Sequence, residues 1–262
     1  MFKKKFLLLA LAFALCFTAV SCSAFAADGT SGQPNPSEGT PGLSYKLSTD
    51  GESYMCTGIG NATTTDIVIP STYKGKPVLL IANGAFYNCV TMTSLTIQEG
   101  IQAIQPYAFR GCVRLESVTI PDSVFYVGNR AFEYCTSLTS LTIVDVENVE
   151  EEKGEKEEQK ELKLIDESAF KLCSKLTSVV MPASTLIVNR RTFDGCTSLA
   201  EVTLPAGVEA LAEGCFGGCR ALKTIRFGGT VEQWEKIAKG GLWAADTVDV
   251  SVICSDGTVT VN

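Results

Sequence analysis

Eleven cysteines are the residues of this 262-residue chain whose types and spacing most invite a chemical role. Such a set could form disulfides in an oxidising compartment, or its thiolates could bind a metal ion. Six of them instead recur at one position of a repeating unit, which predicts a ladder of small buried thiols acting as compact hydrophobic side chains. Stacked side chains that point in parallel are also poorly aimed for the torsion of a disulfide. These six are Cys89, Cys112, Cys135, Cys173, Cys196 and Cys219.

Cys215 and Cys219 lie four positions apart and could pair or bind a metal ion, but no partner motif accompanies them. The chain has no histidine, which excludes a Ser-His-Asp triad, a Cys-His pair and any His-ligated zinc or iron site. A carboxylate-based hydrolase is the remaining catalytic alternative, but nothing in the sequence gathers acidic residues into a cleft. No glycine-rich phosphate loop is present either. The sequence therefore predicts no enzyme, no metal site and no cofactor.

These cysteines are positioned by a unit that repeats every 23 residues. A phenylalanine stands three positions before each ladder cysteine, and apolar residues follow it at six, nine and eleven positions. The last of these alternate with period two, as in a short strand, and the Ala-Phe-x-x-Cys stretch has the three-residue spacing of a single helical turn. Units of this size bury their apolar side only by stacking, so the pattern predicts a solenoid. The repeating phenylalanines are Phe86, Phe109, Phe132, Phe170, Phe193 and Phe216.

The N-terminal segment has a basic start and a 15-residue apolar run, Phe6 to Val20, which is typical of a signal peptide. Two processing sites compete. Ala24-Phe25-Ala26 suits ordinary cleavage and a signal peptide of residues 1–26, whereas Ala19-Val20-Ser21-Cys22 resembles a lipobox, with a signal peptide of residues 1–21 and a lipid on Cys22. We therefore expect an exported chain, either lipid-anchored at the cell surface or secreted.

Three segments follow the signal peptide, and the second contains an insertion. Residues 27–43, rich in Gly, Ser, Thr and Pro, predict a flexible linker. Residues 44–227 contain the repeats. Residues 228–262 predict a C-terminal cap, in which a helical spacing places Trp234 over the last coil. One interval between phenylalanines is 38 residues long and contains an acidic insertion, residues 145–163, with nine acidic and four lysine side chains.

We interpret the insertion as a solvated charged loop, because blocks of like charge repel and stay out of a core. The alternative is a flap that binds a partner or attracts calcium. The whole chain is acidic, with a net charge of −7, and this disfavours nucleic acids and anionic lipid surfaces as partners. A membrane would then be reached only through the N-terminal lipid.

The strand positions eight and ten residues after each phenylalanine are expected to point outward, and most of them are hydroxyl residues. β-Propensity and cross-strand contacts are a sufficient structural explanation for such a stripe. The functional alternative is a flat polar surface that binds an extended partner weakly and relies on avidity. The positions are Ser94 and Thr96, Ser117 and Thr119, Ser140 and Thr142, Ser178 and Val180, Glu201 and Thr203, and Thr224 and Arg226.

The unit Ile-x-x-x-Ala-Phe-x-x-Cys-x-x-Leu-x-x-Val-x-Ile-Pro resembles the BspA-like leucine-rich repeat family, the 23-residue type of bacterial surface proteins. The resemblance implies an α/β leucine-rich-repeat solenoid, with short parallel strands on the concave face and short turns or single helical turns on the convex side. It also implies a cell-surface location and adhesion to proteins, without catalysis. The chain departs from the pattern at Gln98 and Val144 in place of proline, and in its acidic insertion.

Two functions are expected from these observations. The first is recognition of, or adhesion to, a protein or glycoprotein surface ligand through the polar concave face. The second is a structural or self-associating component of the cell envelope, whose partner is another copy of the chain.

Overall fold

The computed structural model describes residues 39–145 and 163–261. The predicted signal peptide, Cys22, most of the linker and the interior of the acidic insertion lie outside the described residues. The described chain is a solenoid, as the repeat predicts, and each regular coil contributes one long strand, one short strand and one turn. Across residues 39–145 and 163–261, no helix is long and apolar enough to cross a membrane.

The long strands form the first layer and correspond to the Leu-x-x-Val-x-Ile part of each unit. Alternate residues are buried, as expected for a strand with one face against the core. Neighbouring strands are parallel, except the last, which turns back antiparallel. The order is β3 (Asp66–Ile69), β6 (Ser94–Ile97), β8 (Ser117–Ile120) and β10 (Ser140–Ile143), then β12 (Ser178–Val180), β14 (Glu201–Leu204), β16 (Thr224–Phe227), β18 (Val250–Ile253) and β19 (Thr258–Val261).

The remaining strands form the second layer, and six of them contain the apolar residue five positions before one of the repeating phenylalanines. Their pairing is parallel, apart from the antiparallel pairs of Ser44–Leu47 with Tyr54–Gly58 and of Thr72–Tyr73 with Lys76–Ile81. The strands are β1 (Ser44–Leu47), β2 (Tyr54–Gly58), β4 (Thr72–Tyr73), β5 (Lys76–Ile81), β7 (Ala103–Ile104), β9 (Tyr126–Val127), β11 (Leu164–Ile165), β13 (Ile187–Val188), β15 (Ala210–Leu211) and β17 (Ala238–Lys239).

The Ala-Phe-x-x-Cys stretch is a turn, and the alternative of a single helical turn is wrong. The residues two positions before and two positions after each phenylalanine have left-handed backbones, as at Tyr107 (φ 60°) and Tyr134 (φ 63°). A helix cannot alternate its handedness in this way. Alternate amide N–H groups of the turn donate along the solenoid to the next coil, as from Phe109 to the carbonyl oxygen of Ala131 at 2.8 Å. The turns therefore form a third hydrogen-bonded ladder.

The phenylalanine rings stack in the core behind these turns. Their centroids are between 5.0 and 5.7 Å apart, and the ring planes diverge by between 6° and 13°. Each ring is at most 1% exposed. Burying one such side chain contributes about 1.5–3 kcal/mol of transfer free energy before chain entropy is subtracted.

The ladder cysteines are buried beside the phenylalanines, and Cys89, at the N-terminal end, is half-buried. The structure adds a polar role to the expected hydrophobic one. Cys135 donates its thiol hydrogen to the carbonyl oxygen of Phe109 in the preceding coil, with a sulfur–oxygen distance of 3.3 Å. The same bond recurs from Cys112, Cys173, Cys196 and Cys219 at 3.2–3.3 Å. Burial raises the pKa of the Cys173 and Cys219 thiols to about 12.

The linker was expected to reach residue 43, but the folded part begins earlier. The Thr40 amide donates to the carbonyl oxygen of Val68 at 2.9 Å, and the Val68 amide donates to the Thr40 hydroxyl at 2.7 Å. Leu43 is only 7% exposed. Thr40 thereby covers the outer edge of β3.

At the C-terminal end, a short helix α1 (Val231–Lys236) follows β16 and begins with a capping box between Thr230 and Gln233. Trp234 is 2% exposed and lies between Phe227 and Trp243, with centroid distances of 5.6 and 6.0 Å. The chain then continues the solenoid with β17, a turn at residues 241–246 and β18, before β19 closes the described part.

A seam interrupts both strand layers after the coil that carries the acidic insertion. In the described part of the chain, no backbone ladder joins β10 to β12 or β11 to β13. The turn ladder crosses the seam without a break, as from the Phe170 amide to the carbonyl oxygen of Thr192 at 3.0 Å. A side chain also bridges it, since Asn189 Nδ2 donates to the carbonyl oxygen of Ile165 at 2.7 Å.

Candidate functional site

The structure places the outward hydroxyl residues of β6, β8 and β10 in two straight rows, which we call the Ser/Thr face. Parallel pairing without a register shift sets each residue beside its equivalent in the next coil. Thr96 and the four residues of β8 and β10 are exposed, and Ser94 is half-buried. The rows are Ser94, Ser117 and Ser140, and Thr96, Thr119 and Thr142.

Beyond the seam the same rows change their chemistry. Ser178 is followed by Glu201 and Thr224, and the exposed Val180 is followed by Thr203 and Arg226. The predicted stripe is therefore divided: the described coils before the seam carry hydroxyl groups, and those after it carry a mixture of apolar, charged and hydroxyl side chains.

Arg226 is the residue among the outward positions whose type is best suited to anchor a partner, and the structure pairs it within the chain. Its Nε donates to Glu201 Oε1 at 2.8 Å and its Nη2 donates to Oε2 at 3.3 Å. Glu201 lies diagonally opposite on the neighbouring strand. Hydrogen bonding to Arg226 lowers the pKa of Glu201, and the same bond raises the pKa of Arg226. A ligand at this position meets an ion pair rather than a single cation.

The sequence analysis missed a cluster on the turns of the first coils. Arg110 Nη1 donates to the Tyr87 hydroxyl at 2.8 Å, and its guanidinium carbon lies 5.5 Å from the Tyr87 ring centroid and 5.6 Å from that of Tyr134. Arg110 Nε donates to Glu133 Oε2 at 2.5 Å. These distances link residues from three successive coils.

Arg130 extends this cluster. Its Nη1 donates to the Tyr107 hydroxyl at 3.1 Å, and its Nε lies 3.8 Å from Glu133 Oε2. Tyr87, Arg110 and Glu133 each stand one position after a phenylalanine, and Tyr107 and Arg130 each stand two positions before one. The contacts therefore join equivalent positions 23 residues apart, which an alignment on the repeat does bring together. The available signal was the excess of Tyr and Arg around Phe86, Phe109 and Phe132. We call this cluster the Tyr–Arg patch: Tyr87, Tyr107, Arg110, Arg130 and Tyr134.

A shallow groove of about 370 Å³ lies on the turns of the last coils. It forms where Gly214, Gly217 and Gly218 lack side chains. Its charged walls pair with one another, as Lys171 Nζ lies 2.8 Å from Asp194 Oδ2. Self-paired charges do not favour a catalytic acid or base.

Cys215 and Cys219 use their thiols separately. Cys215 Sγ lies 3.6 Å from the carbonyl oxygen of Trp243, whereas Cys219 bonds to that of Phe193 at 3.2 Å. Within residues 39–145 and 163–261, no group of three Cys, Asp or Glu side chains is arranged to hold a metal ion.

Comparison with solved structures identifies several bacterial leucine-rich repeat proteins. The T. pallidum leucine rich repeat protein is 30% identical to this chain in sequence, with a TM-score of 0.58 over 72% of this chain and 85% of that protein. A leucine-rich repeat protein from Bacteroides ovatus is 28% identical, with a TM-score of 0.57 over 70% of this chain and 45% of that protein. A third, from Eubacterium ventriosum, is 23% identical, with a TM-score of 0.57 over 74% of this chain and 46% of that protein. This similarity shows only that the two proteins share a fold.

This chain therefore spans less than half the length of the B. ovatus and E. ventriosum proteins. A search of curated proteins found no match. The family description "BspA type Leucine rich repeat region" matches residues 60–153 and 158–238, in six copies. The chain belongs to the BspA type leucine-rich repeat family.

Proposed function

We propose that this protein is exported to the bacterial cell surface, where it recognises protein or glycoprotein ligands through the Ser/Thr face and so contributes to adhesion. The observation that carries the proposal is the register of that face. Three strands present equivalent hydroxyl groups side by side on a parallel sheet, fixed by hydrogen bonds on both sides of each central strand. Such a surface can meet an extended segment with regularly spaced polar contacts.

The chemistry of the face indicates weak binding at each site. Strong protein interfaces depend on buried Trp, Tyr or Arg anchors. The hydroxyl rows contain none, and the Arg226 guanidinium beyond the seam is paired with Glu201. Adhesion through this surface would therefore rely on several copies acting together, which a lipid on Cys22 would favour by concentrating the chain at a membrane.

Membership of a repeat family that typically binds proteins supports this role and gives no support to an enzyme. The proposal includes no catalysis, no cofactor and no nucleic-acid partner. We further propose that the Ser/Thr face is concave and that residues 228–262 cap the solenoid. In a lipid-anchored chain, Cys22 would carry the lipid.

The second candidate function, a self-associating envelope component, is favoured by one specific observation. β19 pairs with β18 on one side, and the described residues contain no strand on its other side. Its sequence, Thr-Val-Thr-Val, has neither charge nor proline to discourage pairing with another chain.

Two measurements separate these functions. The purified protein is tested for saturable binding to a panel of immobilised extracellular-matrix and cell-surface glycoproteins, and its mass in solution is followed by light scattering as the concentration rises. Saturable binding by a monomer supports recognition of a partner. Concentration-dependent association without binding to the panel supports the structural function.

A further inference from the structure

The Tyr–Arg patch differs from the rest of the turn surface in being aromatic. Tyr87 and Tyr134 are 47% and 43% exposed, although tyrosine side chains usually bury much of their ring. The equivalent positions of the last repeat, Gly217 and Gly218, carry no side chain. The exposed rings therefore belong to particular coils and are not required by the repeat.

The side chains of the patch are held in place before any partner arrives. Arg110 is fixed by the Tyr87 hydroxyl and by Glu133, and it lies within 5.6 Å of both the Tyr87 and the Tyr134 ring centroids. The turn ladder fixes the backbone beneath, as the Tyr134 amide donates to the carbonyl oxygen of Lys171 at 2.9 Å. Preorganised Tyr and Arg side chains lose little entropy on binding, which is why they dominate protein interfaces.

The charge of the patch differs in sign from that of the chain. Arg110 and Arg130 contribute two positive charges, and Glu133, with a side chain only 6% exposed, contributes one negative charge. The patch keeps a net positive charge on a chain whose net charge is −7. The Arg130 side chain is 39% exposed and its Nε lies 3.8 Å from Glu133 Oε2, so its guanidinium can still donate to an arriving carboxylate.

We propose that the Tyr–Arg patch is a second protein-binding surface, distinct from the Ser/Thr face, and that it binds an acidic segment of a partner protein. Arg130 would donate hydrogen bonds to a carboxylate of the partner and form an ion pair with it. The rings of Tyr87 and Tyr134 would pack against an apolar or aromatic side chain beside that carboxylate.

A random-peptide display library provides the probe, selected on the immobilised full chain. We expect enrichment of peptides that combine Asp or Glu with apolar or aromatic residues. Their affinity should fall at least about tenfold in a Tyr87→Ser/Tyr134→Gly variant and in Arg130→Gln, as expected for hot-spot residues. Glycine at position 134 is the residue that three other coils carry there, so the left-handed backbone is kept.

Controls distinguish this surface from the Ser/Thr face and from a loss of folding. Ser117→Lys/Thr119→Lys should bind the enriched peptides as the wild type does, and all variants should keep the wild-type melting temperature. The proposal is overturned if no peptide depends on Tyr87, Tyr134 or Arg130, or if the peptides that do depend on them lack carboxylates. Peptides lost only with the Ser117 and Thr119 changes would support the proposed function and contradict this second surface.

Discussion

The rings of Phe132 and Phe170 stack with centroids 5.3 Å apart and planes 9° apart. The two residues are consecutive members of the core ladder although 38 residues separate them in place of the usual 23. The acidic insertion therefore leaves the stacking of its own coil on the preceding one intact. Among the described residues, the two strand layers are interrupted at the following coil, where Asn189 bridges the seam.

Deleting residues 146–160 restores the 23-residue interval, because the long interval exceeds the period by fifteen residues. We expect the free energy of unfolding to change by less than about 1 kcal/mol, since long surface insertions contribute little to stability. Denaturant titration measures the change, with a Gly/Ser replacement of the same fifteen residues as control. A loss of several kcal/mol would contradict the view that the insertion is a solvated addition.

Asn189→Ala should reduce the free energy of unfolding by about 1–2 kcal/mol, because it leaves the carbonyl oxygen of Ile165 without its side-chain donor at the seam. Asn129→Ala is the matched control. Asn129 also donates to a neighbouring carbonyl, that of Glu167, but between those coils the short strands β9 and β11 pair as well, whereas β11 and β13 at the seam do not. Equal losses in denaturant titrations of the two variants would show that Asn189 has no special role.

Leu138→Ala should cost about 2–5 kcal/mol of unfolding free energy, because the side chain is fully buried between stacked coils. Thr142→Ala, on the exposed face of the adjacent strand, should change it by less than about 0.5 kcal/mol. Thermal and denaturant unfolding of both variants check the contrast. Similar effects from both substitutions would contradict the assignment of core and surface.

The buried thiols predict a loss of stability at alkaline pH. Burial raises the pKa of Cys173 from 9.0 to about 12, so the thiol is protonated in both states below pH 9 and its full contribution is present there. Between pH 9 and pH 12 only the unfolded chain releases the proton, and stability falls by about 1.4 kcal/mol per pH unit for each such thiol. Cys173→Ala should flatten the pH dependence of the unfolding free energy by that amount. Parallel curves for wild type and variant would show that Cys173 is not a protonated core thiol.

The solenoid was predictable because its apolar residues recur at fixed offsets from each phenylalanine, and the structure confirms that fold. The left-handed backbone positions of the turns could not be predicted, because residues such as Tyr107 and Tyr134 rarely adopt a positive φ. The strand register aligns the Ser/Thr rows, since equivalent positions of a repeat pair directly. The same register brings Arg226 diagonally opposite Glu201. This contact joins residues 25 apart, one period plus two, so it follows from the repeat once the strands are known to be parallel and in register.

The Tyr–Arg patch and the seam depend on geometry between coils. The patch forms because turns stack closely enough for Arg110 to contact tyrosines of both neighbouring coils. The seam reflects how the coil with the insertion meets the next one. The period of the sequence contains the patch contacts, since Arg110 lies 23 residues from both Tyr87 and Glu133, but it does not indicate the seam.

The central claim is that ligands bind through the Ser/Thr face, and one comparison of affinities tests it most directly. The wild type and two four-lysine variants of equal charge are measured against the glycoprotein that binds best in the panel. The face variant replaces Ser117, Thr119, Ser140 and Thr142, and the control variant replaces exposed residues elsewhere, namely Gln102, Ala183, Thr197 and Ala206.

The account predicts that the face variant loses at least about tenfold in affinity, because four long charged side chains cover the hydroxyl rows, while the control variant binds as the wild type does. Binding retained by the face variant, or lost equally in both variants, would contradict recognition through the Ser/Thr face.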